Sequence, residues 1–278
     1  MLDVKNDLPK LDSPYDVPAD RVAEYRERGH TVLRAVASTD EIAAYRPVIK
    51  SVALGQNREH RPLKDRDTYG KAFLQMWNLW AVDDAVRRFT CAERFAQVAA
   101  DLMGVDAVRI YHDQAVFKEG GGGPTPWHQD QFYWPLDSDN MITMWMPLVD
   151  VPVEVGTMRF VSGSQRLGYL GDYAISDESD ATFAAMIEER GLEVDNHGAA
   201  RAGDATFHAG WVLHSAPQNP TTDMREVMTV IYFADGIRIM PEPDNKNRWN
   251  DLEAWLPGVQ PGGLAASPLN PLLYTAHE

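Results

Sequence analysis

Three side chains of this sequence are of the types that hold a redox-active metal. Trp127-His128-Gln129-Asp130 sets an imidazole and a carboxylate two positions apart. In an extended strand, positions i and i+2 face the same side, so His128 and Asp130 can aim at one ion. A distal histidine, His214, closes the run from Gly203, and Arg225 follows it by 11 residues. Two imidazoles and one hard carboxylate leave three positions open, an arrangement suited to oxygen-activating iron(II). An arginine beside them suits the distal carboxylate of an anionic co-substrate such as 2-oxoglutarate, held through two parallel N–H bonds. Taken alone, His-x-Asp is ordinary in solvated turns, and Arg225 could simply pair with Asp223 or Glu226. The combination is far more specific than any one part.

Positioning these groups takes strands. Val108–Tyr111, Ala115–Phe117, Met141–Leu148, Met158–Val161, Ala205–His214 and Val227–Phe233 are β-prone runs separated by glycine and proline turns. Such a series points to an antiparallel sandwich or barrel. A hairpin joining Ala205–His214 to Val227–Phe233 would bring Arg225 beside His214. Gly120 to Gly123 forms a loop ended by Pro124 and Pro126. Upstream, residues 18 to 103 are mainly helical, broken by a short strand at Thr31-Val32-Leu33. Ser38 or Thr39 caps a helix from about Asp40, with Ile42, Tyr45 and Val48 at helical spacing. A second helix over Cys91–Met103 places Phe95, Val98, Ala99 and Leu102 on one face and stops at Gly104. Asp177–Glu189 is expected as an inserted, solvent-facing helix. One domain is expected over 1–278: a mainly helical part at 1–104, a barrel core at 105–235, and an irregular proline-rich cover at 236–278 carrying Trp249, Trp255 and Leu273.

Composition narrows the partners. The formal net charge is −15, which disfavours nucleic acid and anionic lipid surfaces. Lysines and arginines are scattered, so the phosphates of a coenzyme A thioester meet no basic patch. A small neutral or cationic molecule is the expected substrate. The single cysteine, Cys91, rules out an intrachain disulfide and a thiolate-rich metal site. No apolar run reaches the roughly 20 residues that cross a bilayer, and the acidic start lacks signal-peptide character. These features favour the cytoplasm. They do not fix an oligomeric state.

The stretches WHQDQFYWPLDSDNMITMWMPLVDV, GTMRFVSGSQ, GDATFHAGWVLHSAPQN and MREVMTVIYF, with the opening GHTVLRAVASTDEIAAYR, resemble the phytanoyl-CoA dioxygenase family of iron(II)/2-oxoglutarate oxygenases. The resemblance covers nearly the whole chain. It implies a mainly β fold, a double-stranded β-helix (jelly-roll, cupin-like) core with flanking helices. It further implies iron(II) held by His128, Asp130 and His214, 2-oxoglutarate anchored by Arg225, and O2 as oxidant. Gln114 and Trp145 are implied near co-substrate or substrate, with Thr143 on a neighbouring strand. The family often places serine two positions after the distal histidine. Here Ala216 stands there, and Ser215 is the adjacent hydroxyl. Gln165 replaces a frequent histidine at a peripheral position. Hydroxylation is the default reaction, with epimerisation, desaturation or cyclisation as variants in secondary metabolism. Related halogenases keep the carboxylate position small for chloride, and Asp130 fills it. A cupin-like metalloenzyme without 2-oxoglutarate and a non-catalytic binding barrel are the alternatives.

The remaining histidines divide. His30, His60, His197 and His277 lie in polar surroundings and are assigned to the surface. His208 shares the strand parity of His214, but its spacing of 17 to Arg225 departs from the family, so it is assigned to the core or pocket wall. His112 is a pocket candidate. Phe132, Tyr133 and Trp134 form either a pocket wall or core. Met76, Trp77 and Trp80, on the helical side, likewise form either a pocket wall or core, and core is favoured.

Overall fold

The computed structural model describes residues 8–276, and His277 lies outside them. The first hundred residues hold α1 (Ala19–Arg28), β1 (His30–Leu33), α2 (Thr39–Gln56), α3 (Thr68–Ala72), β2 (Leu74–Trp77), α4 (Asp84–Thr90) and α5 (Glu93–Met103). There follow β3 (Ala107–Phe117), β4 (Thr125–His128), β5 (Met141–Pro147), β6 (Arg159–Val161), α6 (Asp177–Arg190), β7 (Val194–Asp195), β8 (Ala205–Ala209), β9 (His214–Ala216), β10 (Val227–Ala234), α7 (Lys246–Trp255) and β11 (Leu272–Thr275). The larger sheet runs β1-β8-β5-β10-β3-β11, with β2 also paired to β3, and the smaller runs β4-β9-β6-β7. All these pairings are antiparallel. The architecture is the expected jelly roll with flanking helices.

Alternation along the larger sheet separates core from cavity. Ile142, Met144, Met146, Met228, Val230, Tyr232 and Phe207 pack in one buried cluster with Ile42, Tyr45 and Ile49 of α2, Phe89 of α4, and Phe95, Val98 and Leu102 of α5. The opposite face presents rows fixed by register. His208 pairs with Thr143, Thr143 with Ile231, and Ile231 with His112. The next row pairs Trp145 with Thr229, Thr229 with Gln114, and Gln114 with Trp77. All eight line one cavity. Asp113 takes the other parity and turns outward, accepting from Leu79 N at 2.7 Å, Trp80 N at 3.1 Å and Thr90 Oγ1 at 2.9 Å.

The helix boundaries follow local chemistry. Ser38 caps α2 in a capping box: its hydroxyl accepts from Glu41 N at 3.2 Å, and its own N–H donates to Glu41 at 2.7 Å. Gly104, at φ 73°, ends α5, which begins two residues later than expected, at Glu93. Ile49, not Val48, is the third fully buried position of α2.

Several expectations are corrected. Val108–Tyr111 and Ala115–Phe117 form one strand, β3, with a register shift at Tyr111 that leaves the parity of His112 and Gln114 intact. The expected single strand Ala205–His214 is two, in different sheets, split by a turn at Gly210. No hairpin joins β9 to β10; β9 pairs with β4 and β6, and Arg225 bridges to Lys118. The 74–80 segment begins as strand β2; Met76 and Trp80 are core, while Trp77 is 43% exposed. The C-terminal stretch, expected as an irregular proline-rich cover, contains α7 and β11. His60 is exposed, as expected. His30 is buried, because its partner across β1 and β8 is His208. It stacks on Phe160 and reaches His197 at 2.8 Å and Ser162 at 2.9 Å. His197 is half-buried. Burial, then His197, pushes the His30 pKa down to about 3.

A Cβ on Gly210 would lie 2.2 Å from Gln131 Oε1 and 2.5 Å from the Trp134 ring. Gly210→Ala is therefore expected to destabilise the fold by about 1–3 kcal/mol, read by urea unfolding. An unchanged midpoint would mean that this turn can open without cost.

Candidate metal centre and its cavity

His128 ends β4 and His214 begins β9, and the two are direct cross-strand partners. The register shift between Thr125 and His128 accommodates Pro126, which has no N–H for the ladder. Asp130 lies just past β4, at the start of a short 3-10 turn. Gln129 is extended (φ −119°, ψ 126°), so the i, i+2 relation survives. Gln129 points the other way and donates to Gly168 O at 2.9 Å and Trp211 O at 2.7 Å. This braces the loops on either side.

The three side chains converge. Asp130 Oδ1 lies 3.6 Å from His128 Nε2 and 3.6 Å from His214 Nε2. Two metal–ligand bonds of about 2.1 Å can span such a gap. The tautomers are set by neighbours. His128 Nδ1 donates to Pro126 O at 2.8 Å and His214 Nδ1 to Val212 O at 2.9 Å, because a carbonyl can only accept. Both Nε2 lone pairs are thus left for an ion. Asp130 Oδ2 accepts from Thr143 Oγ1 at 2.9 Å and His208 Nε2 at 3.2 Å, leaving Oδ1 free. Since His208 Nε2 carries the proton in that bond, it offers no lone pair there. This hydrogen bond, not strand parity, separates His208 from His214.

Electrostatics agree. Burial alone would raise the Asp130 pKa, but His214, His208 and His128 overrule it and hold the carboxyl well below the usual range. Burial lowers the pKa of His128 and His214, more strongly for His214, where His128 and His208 add to it. Neutral imidazoles and an ionised carboxylate are the forms that ligate a metal.

The cavity measures about 570 Å³ and reaches from Arg225 past these residues to α7. Arg225 shares the odd-numbered parity of Thr229 and Ile231, which turns it inward. It is 2% exposed. Its Nη1 donates to Gly156 O at 2.5 Å, its guanidinium stands 5.4 Å over Trp145, and its Nε has no partner. No carboxylate pairs with it among the described residues, and burial pulls its pKa down to about 9. Gly156 makes this approach possible: at φ 91°, a Cβ there would come 3.1 Å from Arg225 Nη1.

Other expected site residues divide. Thr143, Trp145, Gln114 and His112 line the cavity. Gln114 Oε1 accepts from Gln75 Nε2 at 2.7 Å. Burial holds His112 neutral, its pKa near 3, with Nδ1 unpartnered. Ser215 does not line the cavity: it faces away from its neighbours His214 and Ala216 and accepts from Arg159 Nε at 3.2 Å. Tyr133 and Trp134 are wall residues, and Phe132 is core. The sequence reading missed the wall supplied by α3 and α7: Tyr69, Asn247, Asn250 and Asp251, with Trp255 beside them. The signal available was Asn245, which caps α7 by accepting from Arg248 N at 2.9 Å.

The phytanoyl-CoA dioxygenase (PhyH) family pattern matches residues 25–227, and the chain belongs to that family. It is 23% identical over 226 residues, 78% of each chain, to a probable alpha-ketoglutarate-dependent hypophosphite dioxygenase of Stutzerimonas stutzeri. Among solved structures it resembles the alpha-ketoglutarate-dependent carbocyclase SnoK from nogalamycin biosynthesis. That match has a TM-score of 0.75 and 24% identity, covering 94% of this chain and 99% of that one. It also resembles the epimerase SnoN in complex with Fe3+, alpha ketoglutarate and nogalamycin RO, with a TM-score of 0.75 and 26% identity over 91% and 97% of the chains.

Thr143→Val removes one of two donors to Asp130 Oδ2. It is expected to weaken iron(II) binding about tenfold in an anaerobic titration. Unchanged affinity would show that Thr143 does not orient the carboxylate.

Proposed function

We propose that the chain is an iron(II)- and 2-oxoglutarate-dependent oxygenase in which His128, Asp130 and His214 hold the iron and Arg225 binds the distal carboxylate of 2-oxoglutarate. One observation carries this: a buried guanidinium without a carboxylate partner lines the same cavity as a two-histidine, one-carboxylate set. A buried cation of this kind is stabilised by an anion that the protein does not supply. A cupin-like enzyme that does not use 2-oxoglutarate would leave Arg225 unexplained.

Iron(II) with 2-oxoglutarate and O2 supplies, when bound, the oxidising power to attack an unactivated C–H bond. The chain's own residues do the rest. His128, Asp130 and His214 would hold the ion through one ligand atom each. Trp145 covers one face of Arg225 while Gly156 fixes one of its N–H groups, so the guanidinium is oriented before the anion arrives. With its oxygen engaged by Gln75, Gln114 keeps its amide N–H groups for a ligand. Val116, Met158 and Trp145 form an apolar wall beside the Arg225 end that keeps water out.

The substrate is a small or medium organic molecule, neutral or cationic. Arg225 is the only lysine or arginine among the lining residues, so the phosphates of a coenzyme A thioester would meet no free cation. Hydroxylation is the default outcome. The likeness to a carbocyclase and an epimerase makes cyclisation and epimerisation of a secondary metabolite equally compatible. Asp130 fills the position a halide would need, which argues against halogenation.

Calorimetric titration of 2-oxoglutarate into the anaerobic iron(II) protein tests the reading. Arg225→Ala is expected to weaken binding about 100-fold, as for loss of one partner of a buried charge pair. Equal affinity in the variant would favour the cupin-like enzyme.

A further inference from the structure

The far end of the cavity has a chemistry of its own. Asp251, on the second turn of α7, lines the wall beside Trp255, Trp77, Tyr133 and Tyr69. Trp77 and Trp255 stand 6.4 Å apart, inclined by 31°. Among the described residues, Asp251 is the only carboxylate lining the cavity besides Asp130. No lysine, arginine or histidine lies within ion-pair distance of it among the described residues. The protein gives it neutral donors only: Tyr111 Oη donates to Oδ2 at 2.9 Å, and Trp255 contributes a second hydrogen bond. Burial raises its pKa to about 7 despite these bonds. A carboxylate so placed gains most from a cation that arrives with the ligand, and aromatic faces around it suit a cation with an apolar body.

We infer that Asp251 and the Trp77, Trp255, Tyr133 and Tyr69 rings form a substrate subsite for a protonated amine. The amine is held there while another part of the molecule reaches the metal ligands. This deepens the oxygenase reading and rests on it for the role of substrate. The two ends of the cavity are then complementary. Arg225 attracts the anionic co-substrate and Asp251 attracts the cationic substrate. Asn247 and Asn250, one turn and one residue before Asp251, add neutral hydrogen-bonding groups that satisfy an amine's remaining N–H groups or adjacent oxygens.

The test compares 2-phenylethylammonium with 2-phenylethanol, which is close in size and uncharged. Both are titrated calorimetrically into the anaerobic protein loaded with iron(II) and 2-oxoglutarate, and into metal-free protein, at about pH 8, where Asp251 is ionised. The ammonium ion is expected to bind about tenfold more tightly than the alcohol. Asp251→Asn, which keeps the shape and one acceptor oxygen, is expected to abolish that preference while leaving 2-oxoglutarate affinity unchanged. Asp251→Glu is expected to restore part of it. Equal binding of the two probes by the wild type, binding of neither, or a preference that survives Asp251→Asn would overturn the subsite. If 2-oxoglutarate fails to bind the iron-loaded wild type while the amine preference persists, the oxygenase reading falls and the subsite stands.

Discussion

A positive charge with no counter-charge governs this cavity. Strand parity turns Arg225 inward and its neighbour Glu226 outward, where Glu226 takes Arg46 at 2.6 Å and Lys50 at 2.6 Å. The adjacent carboxylate is therefore spent on anchoring α2 and cannot neutralise the guanidinium. Lys118, bridged to Arg225 through the backbone, is also buried, and burial followed by the charge of Arg225 pushes its pKa down to about 6. Its amino group donates to Gly123 O and Thr125 Oγ1. Lys118 is thus satisfied locally, whereas Arg225 meets no carboxylate among the described residues. The glycine at 156 and the indole of Trp145 follow from that arrangement.

The candidate metal ligands answer to the same logic with the sign reversed. Asp130 is a half-buried anion whose nearest charged or polar neighbours are three imidazoles and a threonine hydroxyl. Carbonyls at Pro126 and Val212 choose the tautomers of His128 and His214, while Asp130 itself chooses that of His208. The set is preorganised by hydrogen bonds two residues away in sequence, which are cheap to build from an extended chain. The smaller sheet contributes the histidines and the larger sheet the braces, so neither sheet alone makes the site.

Much of this was legible in the sequence where spacing is short. His128 and Asp130 needed only the period of a strand, and the capping box at Ser38 and the stop at Gly104 are local chemistry. Long-range geometry was harder. His208 and His214 looked like positions on one strand, yet the turn at Gly210 sends them to different sheets, and they still meet. Arg225 does line the cavity, but its route there is parity along β10 and not a hairpin with β9. Ser215 was misjudged because the short strand β9 turns alternate residues apart, and Ala216 takes the cavity side. His30 looked exposed from its polar neighbours, although cross-strand register with His208 buries it. The α7 wall was hidden because Pro241 and Pro243 precede a helix that mixes apolar inward residues, Leu252 and Trp255, with the polar cavity residues Asn247, Asn250 and Asp251.

The most direct test of the central claim is anaerobic titration of the iron(II) protein with 2-oxoglutarate, followed through the weak visible metal-to-ligand charge-transfer band. The account predicts the band in the wild type, its loss in His214→Ala, and its retention at saturation in His208→Ala. A folded, iron-loaded wild type without the band, or a band that survives loss of His214 but not of His208, would contradict it.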